Sequence, residues 1–282
     1  MRHPVTVALC AAGVVALAGC NAPSGGNDVD RALADINVVD ESNLNEVMLS
    51  AADPAEAVRY FTRAAEQQPD RIDLRRGLAK SLVRAGRNAQ AVPEWERVTA
   101  HEEATQEDEV SLADALIRND DWERAEEVLD AIPPTHETFR RYRLEAMVAD
   151  ANEDWETADS FYETAVGLTT QPAGVLNNWG YSKLTRGEPA EAERLFSQAL
   201  REDGDLFTAK NNLVLARGAQ GRYTLPVIPM SQTERAQLLH TLGLSAVKRG
   251  DVATGRGLFR DALDTHPQHF EPAARSLAAL EG

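Results

Sequence analysis

The chain has 282 residues, 26% of them charged, and a formal net charge of −16 at pH 7. This acidic balance argues against nucleic acid as a partner, because phosphate binding requires clustered lysine and arginine, and it disfavours anionic lipid surfaces. Basic or mixed-charge protein surfaces are favoured instead. Both cysteines, Cys10 and Cys20, lie in the first twenty residues, so the rest of the chain can hold no disulfide, cysteine-ligated zinc or cysteine nucleophile.

The chain opens with a single early positive charge, Arg2, followed by a short apolar run from Val5 to Leu17. This run is shorter than the ~20 residues that a transmembrane helix needs. Its length does match the apolar region of a secretory signal. The sequence therefore predicts a signal peptide over residues 1–19.

The end of this run, Leu17-Ala18-Gly19-Cys20, resembles the lipobox of bacterial lipoproteins. The resemblance implies cleavage before Cys20, diacylation of its thiol and acylation of the new amine, which together anchor a protein stably to a membrane. An ordinary leader that happens to contain cysteine is the alternative. Asn21 at the next position, where inner-membrane retention uses aspartate, favours the periplasmic face of the outer membrane. Residues 20–37 are rich in Gly, Asn, Asp and Ser and predict a flexible tether.

From residue 38 onward, small and large side chains recur with a period of about 34 residues. A small residue is followed by a large one four positions later and a further apolar residue three positions after that, in copies that begin at Ala57, Ala91, Ala125, Ala158, Ala192 and Gly255. Such positions share one face of a helix. The pattern resembles the tetratricopeptide repeat, which implies an all-α fold, a right-handed superhelical solenoid of antiparallel helix pairs.

The repeats predict an array over residues 38–222, an extended connector over 223–232 and a final repeat with a capping helix over 233–282. Pro226 and Pro229 exclude a regular helix in the connector. Ser231 and Glu234 have the spacing of a capping box, which predicts that the next helix starts near residue 231 or 233. The last segment, 271–280, is expected to be the capping helix.

Tight turns are predicted inside the repeats, and Gly and Asn are the residues expected in left-handed conformation there. These candidates are Gly86, Asn119, Asn152, Gly187 and Gly250. We further expect the four tryptophans, Trp95, Trp122, Trp155 and Trp179, to be core residues of the repeats.

The sequence carries no recognisable catalytic constellation. Gly-x-Ser-x-Gly, a phosphate-binding glycine loop and His-Glu-x-x-His are absent. His266 and His269 form a candidate metal pair, but they flank Pro267 without an obvious third ligand, which favours an exposed loop. We therefore expect no enzymatic activity, no cofactor and no metal.

In tetratricopeptide arrays the first helix of each repeat lines a binding groove. The resemblance places nine residues there: Arg76, Lys80, Arg140, Arg143, Asn177, Asn178, Tyr181, Asn211 and Asn212. The basic side chains are suited to acidic side chains or a C-terminal carboxylate, and the amides to a peptide backbone. Alternatively, the asparagines brace neighbouring helices and the arginines pair with nearby glutamates.

The segments VLNNWGYSKLTRGEPAEAERLFSQAL and AKNNLVLARGAQGRY resemble the TadD family of tight-adherence (Flp) pilus assembly, over roughly residues 170–270. This resemblance implies a scaffold or pilotin that binds the secretin or another pilus-assembly component and assists its localisation or assembly. A general periplasmic assembly-factor or scaffold lipoprotein unrelated to pili is the alternative.

Overall fold

The computed structural model describes residues 44–281. The predicted signal peptide, Cys20, the tether over 20–37 and the first residues of the predicted array lie outside this range. Within it, every regular element is a helix. The elements are α1 (44–50), α2 (Pro54–Gln67), α3 (Ile72–Arg84), α4 (Asn88–Thr99), α5 (Gln106–Arg118), α6 (Trp122–Ala131), α7 (Phe139–Ala151), α8 (Trp155–Gly167), α9 (Ala173–Thr185), α10 (Pro189–Glu202), α11 (Phe207–Ala219), α12 (Gln232–Lys248), α13 (Val252–Thr265) and α14 (Glu271–Ala278).

The chain divides into two units at Ala52. The described part of the first unit contains α1, and the second unit contains α2 to α14. In the second unit each helix packs against the next one along the chain. The helices that open successive repeats, α5, α7, α9 and α11, also contact one another. These first helices therefore share one face of the unit, and the predicted all-α tetratricopeptide architecture is confirmed.

The predicted small and large positions meet inside the repeats. A Cβ added at Gly180 would lie 2.7 Å from the ring of Phe196, and one at Gly243 would lie 2.5 Å from the ring of Phe259. Both phenylalanines are fully buried. Only glycine allows these rings to lie directly against the backbone of the first helix, so the spacing seen in the sequence reflects the packing of each pair.

The turns within the repeats differ from the prediction at the two asparagines. Gly86, Gly187 and Gly250 are left-handed as expected, but beside Asn119 and Asn152 the left-handed residues are Asp120 (φ 62°) and Glu153 (φ 58°). Each asparagine ends its helix at negative φ and still donates its N–H to a helix carbonyl. The left-handed residue is the one after the helix end, so placing it on the asparagine was wrong by one position.

The connector after α11 contains no helix, as the two prolines predict. Its side chains nevertheless join the core: Ile228 packs against the cluster that contains Phe196 and Leu213, while Leu225 and Met230 pack against the cluster around Leu238. These apolar residues occupy the place of a second helix for α11.

The start of α12 confirms the predicted capping box. Ser231 Oγ accepts a hydrogen bond from the Glu234 N–H at 3.2 Å, and the Ser231 N–H donates to Glu234 Oε2 at 2.7 Å. Glu234 also accepts from Lys210 Nζ on α11 at 2.9 Å, and the Lys210 side chain is only 3% exposed. The same carboxylate thus caps α12 and fixes it to α11.

Candidate functional site

The face shared by the first helices contains a pocket of about 470 Å³. Helix α9 contributes Asn177, Asn178 and Tyr181, and α11 contributes Asn212. These four residues belong to the predicted groove set, and stacking of the repeats brings them to one cavity. The volume falls in the range of about 300–1,000 Å³ that is usual for ligand sites.

Three of the asparagines brace neighbouring helices. Asn212 Nδ2 donates to Asn177 Oδ1 at 3.1 Å and joins α11 to α9, and Asn211 Oδ1 accepts from Thr241 Oγ1 at 2.8 Å and joins α11 to α12. Asn178 Nδ2 lies 3.5 Å from Met147 Sδ. Asn177 and Asn212 both line the pocket, and their mutual bond uses only Asn177 Oδ1 and one N–H of Asn212.

An unpredicted carboxylate, Asp150 on α7, also lines the pocket. Asp150 Oδ2 accepts from the Tyr162 hydroxyl at 2.8 Å, and Oδ1 accepts from Ser182 Oγ at 2.6 Å. Burial raises the pKa of Asp150 above its ordinary value, and the bonds from Ser182 and Tyr162 partly oppose that shift. Burial, followed by the nearby Asp150 charge, likewise raises the pKa of Tyr162.

The repeat register contains a signal that points to this pair. The position of Asp150 is occupied by Val83, Ile117, Leu184, Gly218 and Val247 in the other copies. The position of Tyr162 is held by hydroxyl-free residues: Phe61, Trp95, Leu129, Phe196 and Phe259. One repeat therefore replaces an apolar pair by a hydrogen-bonded acid and phenol, which an alignment of the copies would reveal.

Trp122 at the start of α6 is a second lining residue that sequence reasoning assigned otherwise. Trp95 is a core residue as expected, but Trp122 is only half-buried and borders the pocket. Its Nε1 donates to Asp120 Oδ1 at 2.7 Å. Trp155 is also half-buried. Trp179 is half-buried too, but it packs against the clusters that contain Tyr162 and Leu195, as expected of a core residue. The expectation of four core tryptophans was therefore wrong for Trp122 and Trp155.

Two of the predicted basic groove residues, Arg76 and Lys80, lie on α3. Arg76 forms a bidentate ion pair with Asp108 at 2.8 and 2.7 Å and also donates to the Glu103 carbonyl at 2.9 Å. Burial alone would raise the pKa of Asp108, but the bonds from Arg76 and Thr105 lower it. Lys80 is exposed.

The other two basic residues, Arg140 and Arg143, lie on α7. Arg140 pairs with Glu107 on α5. Arg143 lies 3.9 Å from Asp114, and its burial lowers its pKa against the opposing charge of Asp114. None of the four predicted cations lines the pocket. The alternative in which the arginines pair with nearby glutamates describes Arg140, whereas Arg76 and Arg143 face aspartates, Asp108 and Asp114.

The histidine pair at 266 and 269 lies in the turn before α14. His269 Nε2 lies 3.0 Å from Glu271 Oε2, whereas His266 Nδ1 contacts the Gln268 backbone. Across residues 44–281, no group of three or more His, Cys, Asp or Glu side chains is arranged to hold a metal ion. None of the helices in the same range has the length and apolar character required to cross a bilayer.

Comparisons with known proteins bear on the fold. A family model for the tetratricopeptide repeat matches residues 48–107, and no curated protein matches the sequence. A chain from the crystal structure of the APC/C hetero-tetramer Cut9–Hcn1 is similar with a TM-score of 0.61 at 11% identity, covering 84% of this chain and 48% of that one. The present chain thus spans about half the length of that chain.

Two further structures share the repeat architecture to different degrees. A tetratricopeptide repeat protein from Parabacteroides merdae is similar with a TM-score of 0.57 at 12% identity, covering 85% of this chain and 97% of that one. PilW, a type IV pilus biogenesis factor, gives a TM-score of 0.46 at 15% identity, covering 63% of this chain and 86% of that one. The helix pairs, the repeat match and the first two structures together show that the chain has the tetratricopeptide-repeat fold.

Proposed function

We propose that the chain is a lipid-anchored tetratricopeptide protein that binds a protein partner and acts in tight-adherence (Flp) pilus assembly as a scaffold or pilotin for the secretin or another assembly component. The observation that carries the binding role is the pocket on the shared face of α7, α9 and α11, where polar groups of three repeats meet. A protein segment laid across successive first helices would contact all three repeats at once.

The pilus role is supported by the sequence resemblance of residues 170–270 to the TadD family. The Asn-Asn pairs in that resemblance, Asn177-Asn178 and Asn211-Asn212, supply three of the pocket-lining residues. The Asn-Asn pairs of the resembling segment therefore lie on the helices that carry the candidate binding surface.

The membrane location is supported by the lipobox-like sequence ending at Cys20. The acyl chains on Cys20 would hold the protein at the periplasmic face of the outer membrane, and residues 20–37 would link the anchor to the repeats. Asn21, at the position where inner-membrane retention uses aspartate, supports the outer membrane as that location.

Metabolic labelling with palmitate tests the anchor. Cys20→Ala is expected to lose the label and to move from the membrane to the soluble periplasmic fraction. Cys10→Ala is the matched control, because it removes the other thiol of the chain from a segment that would be cleaved away. Labelling of Cys20→Ala, or equal loss in both variants, would refute lipidation at Cys20.

Deletion of the gene in its own bacterium tests the pilus role. We expect fewer secretin multimers in outer-membrane fractions and fewer surface pili, with both restored by the wild-type chain. Crosslinking of the complemented strain should recover the secretin or another pilus component with the wild-type chain. Normal secretin assembly and piliation in the deletion strain would refute the role and favour a general scaffold.

A further inference from the structure

We infer that the pocket formed by α7, α9 and α11 receives a basic side chain, arginine or lysine, of the protein partner. This inference rests on the proposed function in that the occupant belongs to a protein bound on this face. It reverses the expectation from the sequence that the groove grips acidic groups.

The charge inventory of the pocket favours a cation. Asp150 supplies the one carboxylate among the residues that line the cavity, and no lysine or arginine lines it. A carboxylate that is partly removed from water attracts a cation more strongly than an exposed one does and repels an acidic ligand. The net charge of −16 adds a long-range attraction for a basic partner.

Arg186 is the cation whose charge acts on Asp150, and it already forms an ion pair with another carboxylate. Arg186 acts on Asp150 through its charge, yet its Nη2 donates to both carboxylate oxygens of Asp159 at 2.7 Å. Asp150 itself is held by two neutral hydroxyls. A partly buried carboxylate with neutral donors alone gains from an incoming cation, because pairing offsets the cost of its burial.

Two aromatic side chains at the pocket suit the same ligand. Tyr181 is 53% exposed, which is unusual for a large ring, and Trp122 lines the cavity with its indole N–H already bonded to Asp120. With its N–H engaged, Trp122 offers a ligand mainly its ring surface, and Tyr181 offers an exposed ring. Guanidinium and ammonium groups bind favourably over such rings.

The register of the repeats gives an independent reason to separate Asp150 from ordinary packing. The other copies form the same helix pairs or stack in the same unit with an apolar residue at this position, such as Leu184, or with glycine, as at Gly218. Stacking of the repeats therefore does not require an acid here. The substitution places a carboxylate beside the cavity, where a bound cation can use it.

The test uses the full chain and three acetylated, amidated tripeptides, Gly-X-Gly, in which X is arginine, citrulline or glutamate. Citrulline keeps the shape of arginine without its charge. Binding is followed by NMR through the indole N–H signals, assigned by single Trp→Phe variants. We expect the arginine peptide to shift the Trp122 signal in a saturable way and the other two peptides to bind at least about tenfold more weakly.

Variants locate the effect. Asp150→Asn should weaken arginine-peptide binding about tenfold, and Tyr181→Ala should weaken it about threefold or more. Asp264→Asn is the matched control, because it removes one exposed negative charge from α13, outside the pocket. Circular dichroism checks folding; if Asp150→Asn does not fold, Tyr181→Ala and the citrulline comparison decide.

Equal binding of the arginine and citrulline peptides, or equal effects of Asp150→Asn and Asp264→Asn, would overturn the inference. The outcome is separable from that of the proposed function. Suppose that secretin assembles equally well with the wild-type protein, with Tyr181→Ala and with Asp150→Asn. The proposed function then stands and the cation site is refuted. If the peptide binds in a charge-dependent way but deletion of the gene leaves pili intact, the cation site stands and the proposed function fails.

Discussion

The α9–α10 pair and the α11 region solve the same packing problem in different ways. In the first, Phe196 of the second helix fills the space over Gly180 of the first helix. In the second, α11 has no second helix and instead approaches α12 directly, with Gly218 against Ser245, where an added Cβ would lie 2.6 Å from the serine Cβ. In the α9–α10 pair, glycine allows a close approach within one repeat. At α11, glycine allows a close approach between one repeat and the next.

Polar bonds accompany this change. The Lys210–Glu234 ion pair and the Thr241–Asn211 hydrogen bond join α11 to α12, and Arg217 donates to the Thr224 carbonyl of the connector at 3.3 Å. The connector supplies a few half-buried apolar residues in place of a helix face. A repeat can thus lose a helix while the array stays continuous, provided that directional bonds replace part of the apolar burial.

The largest expected effect is the loss of stability when an apolar residue is truncated in α10, compared with the loss in the connector. Phe196→Ala should lower the free energy of unfolding by about 3–5 kcal/mol, because it empties the space over Gly180. Ile228→Ala in the connector should cost about 1–2 kcal/mol, since Ile228 is only half-buried. Urea unfolding measures both, and equal losses would mean that the connector is as much a core element as α10.

The second effect concerns the ion pair on which α11 relies. Glu234→Gln keeps a hydrogen-bonding side chain for the cap but leaves the buried Lys210 without a counter-charge, so we expect a loss of about 1–3 kcal/mol. Lys210→Met removes the buried charge itself and should stay within about 1 kcal/mol of the wild type. Chemical unfolding of both variants checks the order, and a larger loss for Lys210→Met would show that the pair itself stabilises the boundary.

The next effect tests whether α9 and α11 end in the same way even though different structures follow them. Gly187 and Gly221 are left-handed, with φ of 86° and 75°. A Cβ at Gly187 meets nothing within 4 Å, and one at Gly221 would only make ordinary van der Waals contact with the Arg249 side chain at 3.7 Å. Alanine at either position should therefore cost about 1 kcal/mol through backbone strain alone. Paired thermal-unfolding measurements decide, and a cost confined to Gly187→Ala would mean that the α11 turn relaxes because no helix follows it.

The sequence predicts the helix pairs and the connector, but it predicts the pocket only in part. Periodicity locates the helix pairs, Pro226 and Pro229 locate the break, and the spacing of Ser231 and Glu234 locates the restart, because each signal is local. The pocket is not predictable in the same way. Periodicity identifies the face on which Asn177 and Arg140 lie, but it does not reveal that Arg140 is already paired or that Asp150 and Trp122 complete the cavity, since those contacts arise from stacking of separate repeats.

The smallest expected effect is a difference in the pH dependence of stability between the α11–α12 boundary and the pocket beside α9. At the α11 boundary, the hydrogen bond from Lys210 lowers the pKa of Glu234, so its contribution is present above the unfolded-state pKa and is lost as pH falls through the folded-state pKa. Beside α9, burial raises the pKa of Asp150, so its contribution is largest below the unfolded-state pKa and is lost as pH rises through the folded-state pKa. Unfolding curves between acidic and neutral pH should therefore change in opposite directions in Glu234→Gln and Asp150→Asn relative to the wild type. Parallel changes would show that one of the two carboxylates is not held as the structure has it.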